Sequence, residues 1–347
     1  MTTSNDHHPT RRGRRRAAVM ADVAKLAGVS HQTVSRVLND AEHVSAETRT
    51  RVLDAMRMLD YRPNSVARAL VTGVSRTLGV VSFDTTLYGP ASTMLGIERA
   101  AHAEGYFVSI VSMTALDRGS LLRASERLRR QGVDGILVIA PLVEAVRALP
   151  DLRGDVPVVA LEAGPQEGVP VVAVDQEAGA RVATQHLLDL GHRTVAHIAG
   201  PTHFLESHQR IAGWRATLEA AGAPVGTPLV GDWSAASGYE LGRELLRSED
   251  VTAVFVANDH MALGLLHGLH ERGCGLPREV SVVGFDDVPE AAYFTPALST
   301  VRQDFNELGR RAVHLILAEI ALGASSPARV TVQPQLVLRG STAPPSS

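Results

Sequence analysis

Eight short apolar runs constrain this chain more than anything else in it. They are Leu78–Phe83, Phe107–Met113, Gly135–Ala140, Pro157–Leu161, Val171–Val174, Thr194–Ala199, Ala253–Ala257 and Val280–Phe285. Each is apolar almost throughout rather than alternating, which predicts strands buried on both faces. Amphipathic stretches of helical period lie between most of them, around 91–104, 119–131, 176–190, 204–221, 235–248 and 260–272. Strand and helix in alternation make parallel, doubly wound α/β sheets. The strands are too many for one compact sheet, and 347 residues leave room for two lobes. A late helix at about 305–322 is expected to return to the first lobe. The chain should cross between lobes near 163–175, 288–304 and 330.

The segment before Leu78 has a different character. Up to Arg76 it holds 13 Lys and Arg against 7 Asp and Glu, while the remainder holds 21 against 30. A basic head on an acidic body suits nucleic-acid binding by the head. Within it, Ala21, Val23, Ala24 and Ala27 make a small apolar face. Gly28 can end that helix with a positive φ, and Ser30 can cap the next one. Val34, Val37 and Leu38 recur at helical spacing, which leaves His31, Gln32, Ser35 and Arg36 outward. Two short helices with small residues between them read as a helix-turn-helix whose second helix enters a DNA major groove. Ser45 is expected to cap a third helix with Val52, Met56 and Leu59 inward. Residues 1–18 read as a disordered basic tail.

Other classes have less support. No apolar run is long enough to span a membrane. Arg11–Arg16 is followed too soon by Asp22 for a secretory leader, and the single Cys274 suits a reducing cytoplasm. A sugar-binding transport component on the same scaffold would need such a leader. Asp286 and Asp287 could form an acid/base pair, but strand neighbours point oppositely and no nucleophile motif accompanies them. The expectation is therefore no enzyme, no catalytic residue and no cofactor. The histidines at 192, 197, 203, 208, 267 and 270 show no zinc-like spacing and read as surface or loop residues, so no metal is expected.

Open α/β sheets bind ligands beyond the carboxyl ends of their strands. Asp84, Glu162, Asp175, Asn258, Asp259, Asp286, Asp287 and Gln303 all fall at such ends. Arg210 and Trp233 add a donor fork and an aromatic face. Carboxylates, amides, one arginine and an indole suit a sugar. Trp214 reads as core.

From about residue 20 to 340 the chain resembles the LacI/GalR family of transcriptional regulators. Asp22-Val-Ala24, Ala27-Gly-Val-Ser30, Thr33-Val-Ser-Arg36, Val44-Ser45, Thr48-Arg49 and Tyr61-Arg-Pro-Asn-Ser-Val-Ala-Arg-Ala-Leu70 carry the resemblance in the head. Gly231-Asp-Trp-Ser-Ala-Ala-Ser-Gly238, Val256–Gly264, Ser281–Asp287 and Leu298–Phe305 carry it in the body, toward the family's galactoside-responsive branch. It implies a headpiece at 19–63, a hinge helix and linker at 64–76, and a two-lobed periplasmic-binding-protein-like core at 77–340. Lobe 1 would take about 77–162 and 304–330, lobe 2 about 175–303 and 331–340, with a tail at 341–347. It also implies a cytoplasmic repressor, a homodimer reading a palindromic operator in double-stranded DNA, and a galactoside-like sugar as inducer. Corepression is the alternative sign of control. DNA contacts would come from Ser30, His31, Gln32, Thr33, Ser35, Arg36 and Asn39, and in the hinge from Asn64, Ala67 and Leu70, Leu70 wedging into the minor groove. The implied sugar contacts are Leu87, Glu162, Arg210, Trp233, Asn258, Asp286 and Gln303. His31, Phe83, Glu162 and Val174 depart from the branch's pattern, which has tyrosine, serine, aspartate and an aromatic wall there. These departures bear on which operator base and which sugar are read.

Overall fold

The computed structural model describes residues 18–38, 44–62, 73–113, 117–164, 168–245, 251–323 and 328–346. Two compact units divide at Ser75 and Arg76.

In the first unit, α1 is Met20–Ala27, α2 His31–Leu38 and α3 Ala46–Met58. Gly28 ends α1 at φ 65°, and the N–H groups of Gly28 and Val29 bond back to the carbonyls of Lys25 and Ala24. This pair of bonds is the Schellman ending, and it needs a left-handed residue there. Ser30 caps α2, its hydroxyl accepting from the Thr33 N–H at 3.1 Å. Ser45 caps α3 through the Thr48 N–H at 3.3 Å. The core is Val23, Ala24, Ala27, Val34, Val37, Val52 and Ala55. Met56 and Leu59, expected inside, are only half-buried, because Val52 and Ala55 already fill the face of α3 toward the core.

The second unit contains two six-stranded sheets. The first joins β1 (Thr77–Phe83), β2 (Phe107–Met113), β3 (Gly135–Ile139), β4 (Val158–Leu161), β5 (Val171–Val174) and β11 (Arg329–Val332). Its order is β11-β5-β4-β3-β1-β2, parallel throughout. The second joins β6 (Ala196–Ala199), β7 (Leu229–Val230), β8 (Ala253–Val256), β9 (Ser281–Asp286), β10 (Ser299–Arg302) and β12 (Gln335–Val337). Its order is β12-β10-β9-β8-β6-β7, with only β12 antiparallel.

Helices cover both faces of each sheet. In the first lobe they are α4 (Tyr88–Ala103), α5 (Arg118–Arg130), α6 (Val143–Ala148) and α11 (Phe305–Leu322). Ile97, Leu308, Val313 and Ile316 pack on Leu78, Val80 and Leu137, while Leu121 and Leu128 pack on the other face. Gly96 of α4 and Gly309 of α11 face one another so closely that a Cβ on either would meet the other helix's backbone. In the second lobe the helices are α7 (Gln176–Asp189), α8 (Leu205–Ala220), α9 (Ala235–Leu245) and α10 (Asp259–Glu271). Trp214 is core there, fully buried beside Phe255 and Phe285.

The chain crosses between lobes at Asp175, at residues 303–304 and at residues 333–334. Lobe 1 therefore extends past the expected 162 and 330 to take in β5 and β11, which pair in register with one another. Periodicity also missed β7, β11, β12 and α6, all short elements. Residues 341–346 are not a free tail. The Ser341 hydroxyl accepts from the Ser299 N–H at 2.8 Å and donates to the Val282 carbonyl at 2.6 Å. The Ser346 hydroxyl donates to the Arg278 carbonyl at 2.9 Å.

Two histidines read as surface groups lie inside. His197 is buried, stacked on Phe255 with ring centroids 4.7 Å apart, and its Nδ1 is 2.9 Å from the Phe255 carbonyl. Burial pushes its pKa down to about 4, so it is neutral. His192 is buried between Thr252 and the Ala343 carbonyl, holding the C-terminal segment.

Candidate functional site

A cavity of about 280 Å³ opens between the lobes, beyond the carboxyl ends of their strands. Leu87, Glu162, Arg210, Trp233, Asn258, Asp286 and Gln303 all line it. Leu87 is the residue before α4, Glu162 follows β4, Asp286 ends β9 and Gln303 follows β10.

Arg210 organises the floor. It projects from α8 and is only 3% exposed. Its Nε donates to Gln176 Oε1 at 3.0 Å, its Nη1 donates to the Ala257 carbonyl, and its Nη2 lies 3.9 Å from Asp286 Oδ1. The guanidinium sits 3.8 Å from the Phe285 ring centroid and 5.6 Å from that of Trp233. A buried cation needs this many partners, because unpaired burial costs several kcal/mol. From Gln176 the network continues. Its amide donates to Gln303 Oε1 at 2.8 Å, and the Gln303 amide donates to Asp286 Oδ1 at 2.7 Å. Both glutamines stand beside interlobe crossings, so this chain of bonds runs through the hinge of the two lobes.

Asn258 is pinned by two bonds. Its Oδ1 caps α10 through the Met261 N–H at 2.9 Å, and its Nδ2 donates to the Trp233 carbonyl at 3.0 Å. The Trp233 ring meets Phe204 edge-on at 5.6 Å. Three lining residues carry left-handed backbone: Glu162 (φ 56°), Trp233 (φ 73°) and Asp286 (φ 114°). Such conformations cost roughly 1–3 kcal/mol each in non-glycine residues and gather at functional sites.

The electrostatics are acidic. Burial pushes the Asp286 carboxyl up to about 6, with Arg210 and the Gln303 bond opposing. Burial and the facing Glu206 raise Glu162, and burial with the nearby Asp286 raises Glu206, which Arg210 opposes.

Four strand-end carboxylates serve the fold instead. Asp175 caps α7 through the Ala178 N–H at 2.9 Å. Asp259 is fully buried, accepting from the Thr300 hydroxyl at 2.6 Å and the Val288 N–H at 2.9 Å. Asp287 pairs with Arg302 and Arg339, each at 2.6 Å. Asp84 accepts from the N–H and hydroxyl of Thr86. Asp286 and Asp287 thus face different partners. Val174 does not line the cavity; it gives its N–H to Glu162 at 3.4 Å. Aromatic walls come instead from Tyr88, Phe204 and Phe305, which the strand-end reading passed over. Glu206 was also missed, although it stands one helical turn before Arg210. Gln176, 1% exposed, had no sequence signal beyond following Asp175.

In the first unit, His31, Gln32 and Arg36 of α2 are exposed on one side, while Thr33 and Ser35 are half-buried. The exposed Ser30 commits its hydroxyl to the α2 cap and to Thr33. Asn39, Asn64, Ala67 and Leu70 lie outside the described residues.

Residues 19–64 match the model of bacterial regulatory proteins of the lacI family, and residues 184–342 match a periplasmic binding protein-like domain. The lactose operon repressor of Klebsiella pneumoniae is 36% identical over 310 residues, covering 88% of this chain and 87% of that protein. The chain belongs to the LacI family. The HTH-type transcriptional repressor PurR of Vibrio parahaemolyticus is 32% identical over 333 residues, covering 93% of this chain and 98% of that protein. The structure of the lac repressor dimer bound to operator and the anti-inducer ONPF superposes with a TM-score of 0.85 at 34% identity, covering 94% of this chain and all of that one. The chain is therefore a ligand-regulated DNA-binding transcriptional repressor of the LacI family. Among the described residues, no helix is long and apolar enough to cross a membrane.

Proposed function

We propose that this LacI-family repressor binds a palindromic operator as a cytoplasmic homodimer and releases it when a galactoside-like sugar fills the interlobe cavity. The convergence of Arg210, Asn258, Asp286 and Trp233 on that cavity carries the reading. Asp286 and Glu162 accept from sugar hydroxyls, Arg210 donates, and the Trp233 indole covers the ring's C–H face. Leu87 and Gln303 close the wall. Because Gln303 and Gln176 border the hinge, a ligand that bonds to this network favours one lobe arrangement over another, which is the condition for control.

On the DNA side, Gln32 and Arg36 read base edges, the commonest partners being adenine and guanine. His31, Ser35, Thr33, Ser30 and Asn39 support that contact. Asn64, Ala67 and Leu70 supply the hinge contact in the minor groove. The test is fluorescence anisotropy with a palindromic duplex recovered by selection, with and without mono- and disaccharides. Release by a galactoside is the expected result. Tighter binding would reverse the sign to corepression, and no response to any sugar would overturn the sugar reading.

A further inference from the structure

The cavity gathers more carboxyl groups than the protein matches with cations. Glu162, Glu206 and Asp286 all line it, and Arg210 is the one guanidinium among the described lining residues. Arg210 donates through Nε to Gln176 and through Nη1 to the Ala257 carbonyl, and its Nη2 lies 3.9 Å from Asp286 Oδ1. Glu206 accepts no hydrogen bond from any described residue. Among the described residues, Glu162, 7% exposed, is held at 3.4 Å by the Val174 N–H and at 3.5 Å by the Gln176 amide. Asp286, also 7% exposed, uses Oδ1 for Gln303 and Arg210, and its Oδ2 accepts no hydrogen bond from any described residue. Acceptor capacity on three carboxyl groups therefore points into one cavity.

The other walls are aromatic: Trp233 with Phe204 edge-on, and Tyr88 edge-on to Phe305 at 5.8 Å. Ring faces beside carboxylates suit a cation. A neutral hydroxyl gives one donor and leaves the charge in place. An ammonium gives three donors and cancels charge, through the stronger class of hydrogen bond.

We infer that the effector is an amino sugar whose ammonium group sits between Glu162 of the first lobe and Glu206 of the second. This rests on the sugar reading above and narrows it. Because the two glutamates come from opposite lobes, the ammonium ties the lobes together across the cleft. In the empty cavity the raised affinity of Glu162 and Glu206 for protons relieves their repulsion. Binding then releases protons. The other titratable groups facing this pair are Arg210, Asp286, Asp232, His260 and Tyr88.

The test is isothermal titration calorimetry on the full chain near neutral pH. The probes are D-galactosamine and D-glucosamine, their hydroxyl parents and their N-acetyl derivatives. One amino sugar should bind at least about tenfold tighter than its parent and its N-acetyl form. Its apparent heat should change with the buffer's ionisation heat, reporting proton release. Glu206→Gln should bring the amine and its parent to within about twofold while parent binding persists; Glu206→Ser should do the same. A parent sugar binding as tightly as its amine would overturn this inference and leave the sugar reading standing. So would a preference unchanged in both variants. Binding by none of the probes would overturn this inference, while the sugar reading falls only if no mono- or disaccharide acts in the anisotropy test above.

Discussion

Asp286→Asn should make this protein more stable and less responsive, and the stability gain should depend on pH in a defined way. Asp286 is 7% exposed, and burial raises its carboxyl from 3.8 to about 6. Each unit corresponds to about 1.4 kcal/mol, so ionised Asp286 works against the fold by about 3 kcal/mol at neutral pH. Asparagine keeps an oxygen for the Gln303 amide, which donates to Asp286 Oδ1 at 2.7 Å. It also tolerates the left-handed φ of 114° found there. It gives up the Arg210 contact at 3.9 Å, leaving Arg210 its bonds to Gln176 and Ala257. The expected net gain is about 1–3 kcal/mol at pH 7, allowing for that loss. The sign follows from linkage. With the folded pKa raised, the native state binds the proton more tightly, so the parent loses stability as pH rises from about 4 to about 6. The variant's advantage should be near zero at pH 4, grow through that window and level off above it. His197, neutral in the fold at a pKa near 4, pulls the parent's own profile the other way as pH falls below its ordinary value. The difference between parent and variant therefore carries the test. Both tryptophans, Trp214 and Trp233, stand in the second lobe, so denaturation followed by tryptophan fluorescence reports the right region. A pH-independent difference, or a parent more stable than the variant at pH 7, would refute the reasoning.

Arg210→Lys keeps the charge but cannot reproduce a fork to Gln176 and the Ala257 carbonyl together. Losing one charge-assisted bond, about 1.5–3 kcal/mol, should weaken effector binding roughly 10- to 150-fold by calorimetry. Arg36→Ala should lower discrimination at one operator base by about 1–3 kcal/mol in competition anisotropy, since Arg36 is exposed on α2. Loss of affinity equal for all sequences would assign Arg36 to phosphate instead. Gly96→Ala places a methyl against the α11 backbone near Phe305 and should lower stability by about 1–3 kcal/mol in thermal denaturation.

Periodicity determined most of this protein's elements, because those strands and helices are long enough to show one. Eight apolar runs matched strands of the two sheets to within two residues at each end, and 305–322 matched α11. Local chemistry likewise determined the head's turns, since Gly28, Ser30 and Ser45 act on backbone groups a few residues away. Strand-end position nominated the cavity residues but could not rank them. Asp84, Asp175, Asp259 and Asp287 looked equivalent to Asp286 in sequence, and only packing shows their carboxylates held by Thr86, Ala178, Thr300 and the Arg302–Arg339 pair. Tertiary structure alone brought Glu206 beside Glu162, 44 positions away by the numbering. It also buried His197 and ran Gln176 through the hinge. The physical reason is range. Caps and periods arise within one turn or strand of the chain, whereas shared charge and desolvation depend on which distant segments the fold places around one space.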